Sequence, residues 1–343
     1  TGTQSITTSG TLSLTGGTAP AIAPFNLDQS DCLPACASVH SQAGLQTIDA
    51  GSILLKGGAS GSENLASIRS NAGQAITIRG PGGLKLIGGG EAGTTSDHNN
   101  FAILENHAGP QTITFLTAGA PLLIDAGDVG LRHFAGVYQA GIDGSGQTIN
   151  GAPAITIAGG TGGNGAAGPD RFSFSSNLAF IASESGAQRI NAQSIDLMGG
   201  ATNFNVADIS NQGGDLVGSV TGSQTISVTG AINVTGGSAA DAFARIYSRS
   251  GAQTISAGSL TLLESGAGQV LIGNVFDPAL ASVAPGSTSI QTLSGDISIG
   301  PGSIRSDSVA LNSSGAVTQL ASGEIRTGVL NVSASTGIHL LGG

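Results

Sequence analysis

The sequence predicts an all-β fold, a right-handed parallel β-helix (β-solenoid) of about ten three-stranded coils with Gly-rich inserts. The first ground is local pattern. Short apolar runs alternate with period two and close on glycine, as in Gly222 to Gly237, G-S-Q-T-I-S-V-T-G-A-I-N-V-T-G-G. The second is recurrence. The Q-T-I word of that stretch, Gln224-Thr225-Ile226, returns at Gln4-Ser5-Ile6, Gln46-Thr47-Ile48, Gln74-Ala75-Ile76, Gln111-Thr112-Ile113, Gln147-Thr148-Ile149, Gln188-Arg189-Ile190, Gln253-Thr254-Ile255 and Gln291-Thr292-Leu293, with a weaker copy at Gln319-Leu320. Successive glutamines stand 42, 28, 37, 36, 41, 36, 29, 38 and 28 residues apart (46 − 4, 74 − 46 and so on), a period that belongs to stacked repeats. The third is composition: 57 glycines, 9% charged residues, one Met and no Trp in 343 residues make poor globular cores. Disorder is excluded as well, because 39% of the residues are hydrophobic and they are placed with period two.

Taken in order, each unit opens with a glutamine strand in which Gln and Ile share one face. A second strand follows, as Leu12-Ser13-Leu14, Ile53-Leu54-Leu55, Leu84-Lys85-Leu86, Leu122-Leu123-Ile124, Ile155-Thr156-Ile157, Ile195-Asp196-Leu197, Ile232-Asn233-Val234, Leu260-Thr261-Leu262 and Ile297-Ser298-Ile299. Its first and third residues are apolar and should point inward while the polar middle residue faces water. A third word reads apolar-Ala-x-apolar at Leu65-Ala66-Ser67-Ile68, Phe101-Ala102-Ile103-Leu104, Phe134-Ala135-Gly136-Val137, Leu178-Ala179-Phe180-Ile181, Val206-Ala207-Asp208-Ile209 and Phe243-Ala244-Arg245-Ile246. Three strands and three bends per unit predict a triangular coil whose turns stack as three parallel sheets, wound right-handed as parallel crossovers are. At about 4.8 Å per coil the rod would be roughly 45–50 Å long.

Unit length varies between the second and third words, as in Gly88 to Asn100 and Gly159 to Arg171, so Gly-rich inserts should leave and rejoin the coil along one face. The organisation expected is a single β-solenoid over 1–343, with longer coils and variable loops over 1–293 and shorter, more regular coils over 294–343. Both ends lie in mid-pattern, Thr1 to Ile6 inside a Q-x-I word and Ile338 to Gly343 inside a second-strand word. No initiator Met or signal-like segment opens the chain, so a processed or excised segment of a longer fibre is expected.

The glutamines Gln4, Gln46, Gln74, Gln111, Gln147, Gln188, Gln224, Gln253 and Gln291 are expected to form a structural ladder, each amide bonding those of the neighbouring coils. A buried amide left unpaired costs about 1–3 kcal/mol, which the ladder avoids. Against this stands an arrangement with Gln outward and Thr inward; the constancy of Gln beside a middle residue that varies as Thr, Ser, Ala and Arg favours the ladder. Cys32 and Cys36, the chain's two cysteines, sit in a long loop from Thr18 to about Pro34 and at its exit. A disulfide between them would suit an oxidising compartment. Free thiols remain open, since Cys36 takes the apolar place of a third word, and a metal would need more ligands than Asp31 and His40 supply.

The tail carries a resemblance. Gly315-Ala316-Val317-Thr318-Gln319, Gly323-Glu324-Ile325, Leu330-Asn331-Val332-Ser333-Ala334 and Gly337-Ile338-His339-Leu340 resemble the repeats of filamentous-haemagglutinin-type exoproteins, secreted bacterial β-helices often exported by two-partner secretion. The likeness extends over nearly the whole chain as repeat style, although the family's N-terminal secretion domain is not recognisable. It implies an extracellular or cell-surface bacterial protein, the structural or adhesive shaft of an adhesin or surface filament.

Other classes are weighed on their residues. A polysaccharide-cleaving β-helix needs clustered carboxylates on an exposed strand face. Only Asp125, Asp128, Arg132 and His133 approach this, and they read as a solvated loop flank. Gly159-Gly160-Thr161-Gly162-Gly163-Asn164-Gly165 lacks both the Lys-Ser/Thr of a phosphate loop and the Asp spacing of a calcium nonapeptide. Thr47, Thr112, Thr148, Thr225 and Thr254 form one broken column, which argues against an ice-binding face. No catalytic, cofactor or metal residues are therefore expected, and a polysaccharide-binding or polysaccharide-cleaving β-helix stands as the alternative. The net charge of −10, with Lys56 and Lys85 the only lysines, argues against nucleic acid, and no apolar run is long enough for membrane insertion. Expected partners are copies of the chain or flanking solenoid segments end to end, and host or surface glycans.

Overall fold

The computed structural model describes residues 2–18, 35–61, 64–90, 100–127, 133–141, 143–162, 177–211, 222–249, 251–274 and 286–341. Among them every regular element is a strand: thirty strands form one twenty-stranded and one ten-stranded sheet, and every pairing is parallel. Period two explains each element. Strand Gln224–Val228 buries Gln224, Ile226 and Val228 and turns Thr225 and Ser227 outward; strand Ala231–Gly236 buries Ile232 and Val234 and leaves Asn233 and Thr235 partly exposed.

Stacking then brings identical positions into files. The second-word file Leu12, Ile53, Leu84, Leu122, Ile155, Ile195, Ile232, Leu260, Ile297, Val317 and Ile338 runs in register through consecutive pairings. From Ile53 to Val317 its members are at most 1% exposed, and each contributes about 1.5–3 kcal/mol of burial. The alanines of the third word stack in the ten-stranded sheet as Ala37, Ala66, Ala102, Ala135, Ala179, Ala207 and Ala244. One continuous core lies between the sheets. This parallel all-β stack is compatible with a β-helix.

Two expectations change. The stack has two hydrogen-bonded sheets and not three, because the first and second words run as single strands at Gln4–Thr15 and Gln46–Lys56 and so join their stacks. The register also departs from the glutamine spacing near the C-terminal end: Gln253 pairs with Thr288, Thr288 with Val309 and Val309 with Leu330. The last two steps are 21 residues each (309 − 288 and 330 − 309). Gln291 consequently lies beside Ser256 and Asn312 on the exposed face, and Gln319 belongs to the second-word strand Ala316–Gln319.

Corners between strands need tight turns. Gly151 has φ +90°, and a Cβ there would lie 1.7 Å from the Phe115 carbonyl oxygen, so no other residue fits that bend.

Candidate functional site

The glutamines from Gln4 to Gln253 form an unbroken internal chain of amides. Nε2 of Gln46 donates to Oε1 of Gln4 at 2.7 Å, Gln74 to Gln46 at 2.7 Å, Gln111 to Gln74 at 2.9 Å and Gln147 to Gln111 at 2.8 Å. Gln188 donates to Gln147 at 2.9 Å, Gln224 to Gln188 at 2.7 Å and Gln253 to Gln224 at 2.7 Å. Each Nε2 also reaches a main-chain carbonyl of the ten-stranded sheet, such as Tyr138 from Gln111 at 3.2 Å and Ser210 from Gln188 at 3.0 Å. The ladder therefore bonds along the stack and also across the core from sheet to sheet. Thr288 closes it, donating its hydroxyl to Gln253 Oε1 at 3.1 Å. Gln291 takes no part, since the register places it on the other face.

A second ladder occupies another corner, two places before the third-word alanine. The backbone N–H of Asn64 donates to Asn100 Oδ1 at 2.9 Å, that of His133 to Asn177 Oδ1 at 3.0 Å and that of Asn177 to Asn205 Oδ1 at 3.1 Å. Between them, the Asn100 N–H donates to His133 Nδ1 at 3.4 Å. The Asn side-chain N–H groups tie the adjoining turns, Asn64 to Ser60 O at 2.8 Å and Asn205 to Gly162 O at 2.7 Å. His133 is thus a fully buried member of a structural file, which corrects its assignment to a solvated loop. Asp125 accepts from Gly127 N–H at 2.9 Å, while Asp128 and Arg132 lie outside the described residues. The signal was present in the sequence as Asn-apolar-Ala at Asn64, Asn100, Asn177 and Asn205.

The outer face of the ten-stranded sheet is buried too. Phe101 stacks on Phe134 with centroids 4.7 Å apart, and Tyr138 meets Phe180 edge-on at 6.3 Å, within a second cluster that includes Ile103, Leu178 and Val206. Several charges on this face are paired. Arg245 meets Asp208 at 3.3 Å and lies over the rings of Phe243 and Tyr247 at 5.5 and 5.3 Å. Glu105 faces Arg69 at 2.7 Å and His107 at 2.8 Å. Burial pushes the Glu105 carboxyl up, but the hydrogen bond from His107 and the charges of Arg69 and His107 outweigh it and hold its pKa below the usual glutamate value. Asp208 thus pairs with an Arg245 held against aromatic rings, and Glu105 with Arg69 of the adjacent strand, contacts that hold neighbouring strands together.

Cys36 is disulfide-bonded, and Cys32 lies outside the described residues, as do much of the 159–171 insert and most of the 88–100 insert. Among the described residues no group of three or more His, Cys, Asp or Glu could hold a metal ion, and no helix is long and apolar enough to cross a membrane. The outward face of the twenty-stranded sheet carries Thr112 beside Thr148, and Asn191 donating to Asn150 at 2.8 Å. No protein-family model matches the chain, and neither a curated protein nor a solved structure matches it significantly.

Proposed function

We propose that this chain is an extracellular structural or adhesive β-solenoid, the shaft of a secreted bacterial adhesin or surface filament of the filamentous-haemagglutinin type. In this reading the strand stack winds as a right-handed β-helix of about ten three-stranded coils, one for each strand of the ten-stranded sheet. The observation that carries the reading is where the buried polar groups are used. The glutamine file from Gln4 to Gln253 and the Asp208–Arg245 pair bond strand to strand, and the asparagine corner bonds one turn to the next. Such an interior suits a load-bearing rod, and its partners would be further solenoid segments along the axis and glycans along its sides.

The second reading, a polysaccharide-binding or polysaccharide-cleaving β-helix, draws on the outward Thr, Ser and Asn positions of the twenty-stranded sheet, where small polar side chains recur at the strand spacing. A glycan array combined with a reducing-sugar assay separates the two. Binding without turnover, or adhesion to cells without glycan cleavage, supports the shaft; release of reducing ends supports the enzyme. Surface labelling of the producing cell tests the location, and retention of the protein in the cytoplasm would refute it.

A further inference from the structure

The outward middle place of the second word is polar along most of the stack, with Ser13 on one side and Thr156, Asp196, Asn233 and Thr261 on the other. Three adjacent strands between them break the pattern. Leu54 pairs with Lys85 and Lys85 with Leu123, and beside this file Lys56 pairs with Ile87 and Ile87 with Asp125. Period two turns all six away from the core, and each is at least partly exposed. Lys56 and Lys85 are the chain's only lysines. We propose that this patch binds an acidic polysaccharide, its ammonium groups meeting carboxylates and its aliphatic side chains lying against the apolar faces of the sugar rings. This rests on reading the chain as an extracellular rod that meets glycans along its sides.

Charge is the first argument. Four arginines are held by carboxylates: Arg69 by Glu105, Arg79 by Asp49, Arg245 by Asp208 and Arg305 by Glu324. Neither lysine has such a partner among the described residues, although the chain's net charge is −10. Asp125, the acid of the patch, stands two strands from Lys56, and its Oδ1 accepts the Gly127 N–H at 2.9 Å. On an acidic surface the two ammonium groups mark a place where anions are attracted and not repelled. Their Cα atoms stand roughly 8 Å apart, diagonally across neighbouring strands, so one polymer can set two acidic groups on them at once. Composition then selects the class of partner. Lysine alternates with leucine and isoleucine along the strands and across them, and no aromatic or arginine anchor of the kind that dominates protein interfaces stands among them. Nor does any ring there offer a nucleic-acid base a stacking surface. A flat sheet face with separated cations, bordered by the hydroxyls of Ser13 and Thr156, suits an extended, hydroxyl-rich acidic chain.

Fluorescence polarisation with labelled hyaluronate and polygalacturonate, both carboxylate-bearing, tests the patch against neutral dextran and single-stranded DNA. The parent chain should bind at least one of the two acidic polysaccharides in preference to either control, and more weakly as salt rises. Replacing both lysines, Lys56→Gln with Lys85→Gln, should weaken that binding about tenfold at an unchanged melting temperature, because both side chains face outward. Lys56→Arg with Lys85→Arg should retain it. Arg189→Gln, which removes an exposed cation elsewhere on the same sheet, should leave it unchanged. No binding of either acidic polysaccharide, equal binding of dextran or DNA, or a loss in Arg189→Gln as large as in the double lysine variant would overturn the proposal. A chain that binds neither polymer yet still adheres to cells would remove this patch and leave the shaft reading standing. Release of reducing ends from a polymer whose binding needs the lysines would refute the shaft reading and support the patch.

Discussion

Replacing Gln147 by leucine is the sharpest probe of what holds the stack together. The Gln147 side chain makes three bonds: Nε2 to Gln111 Oε1 at 2.8 Å, Nε2 to Ala182 O at 3.2 Å, and Oε1 from Gln188 Nε2 at 2.9 Å. Leucine removes all three. Gln188 keeps the Ser210 carbonyl at 3.0 Å, but the Gln111 oxygen loses its ladder donor in a fully buried site. One orphaned acceptor costs about 1–3 kcal/mol and the weakened Gln188 amide about 0.5–1.5 kcal/mol. The extra apolar burial of leucine offsets about 1 kcal/mol. The net expectation is a destabilisation of about 1–3 kcal/mol, read as a lower urea midpoint and a melting temperature down by several degrees. The control is Gln291→Leu, whose side chain is exposed and outside the ladder, with an expected effect within about 0.5 kcal/mol. Equal shifts for the two variants would show that the amide file contributes nothing beyond a surface glutamine, and the reasoning would fail.

Other perturbations test the outer face of the ten-stranded sheet. A Cβ at Gly136 would lie 2.4 Å from the Phe180 ring, so Gly136→Ala should cost about 1–3 kcal/mol by thermal melting, and a second change, Phe180→Leu, should recover part of that loss. Asp208→Ala removes the carboxylate facing the buried Arg245 and should destabilise by about 3–5 kcal/mol, whereas replacing both residues with apolar ones should cost far less. The depressed pKa of Glu105 gives stability that is fully present above the unfolded glutamate value of about 4.3 and is lost as pH falls through the folded value. Urea melts at pH 6 and pH 3 should therefore differ less for Glu105→Gln than for the parent chain; an unchanged difference would remove Glu105 from the acid response.

Much of the fold was legible because side-chain alternation and strand spacing are rigid. Gln, Ile and the paired apolar residues of the second word identify inward positions whatever the loop lengths between them. The ladder's end was misjudged for a physical reason. The inward polar place passes from Gln253 to Thr288, then Val309 and Leu330, so the residue type changes while the position is kept, and the glutamine at 291 drew attention one face away. The two sheets were read as three because a single continuous strand at Gln46–Lys56 looks, in sequence, like two words separated by Ala50-Gly51. His133 looked like part of an acidic loop flank beside Asp125, and only the pairing of Ala102 with Ala135 reveals that it stands in the file of Asn64 and Asn100. The outer aromatic cluster was hidden by the expectation that a solenoid sheet has one wet face. Phe101, Phe134, Tyr138 and Phe180 are widely spaced in sequence, and only stacking joins them.

The central claim is that a buried file of glutamine amides holds successive strands in parallel register, and side-chain hydrogen exchange reads it directly. With glutamine labelled at its amide nitrogen, the Nε2 protons of Gln74, Gln111, Gln147, Gln188, Gln224 and Gln253 should exchange orders of magnitude more slowly than those of Gln291. Exchange of all of them at the rate of an exposed amide would contradict the account.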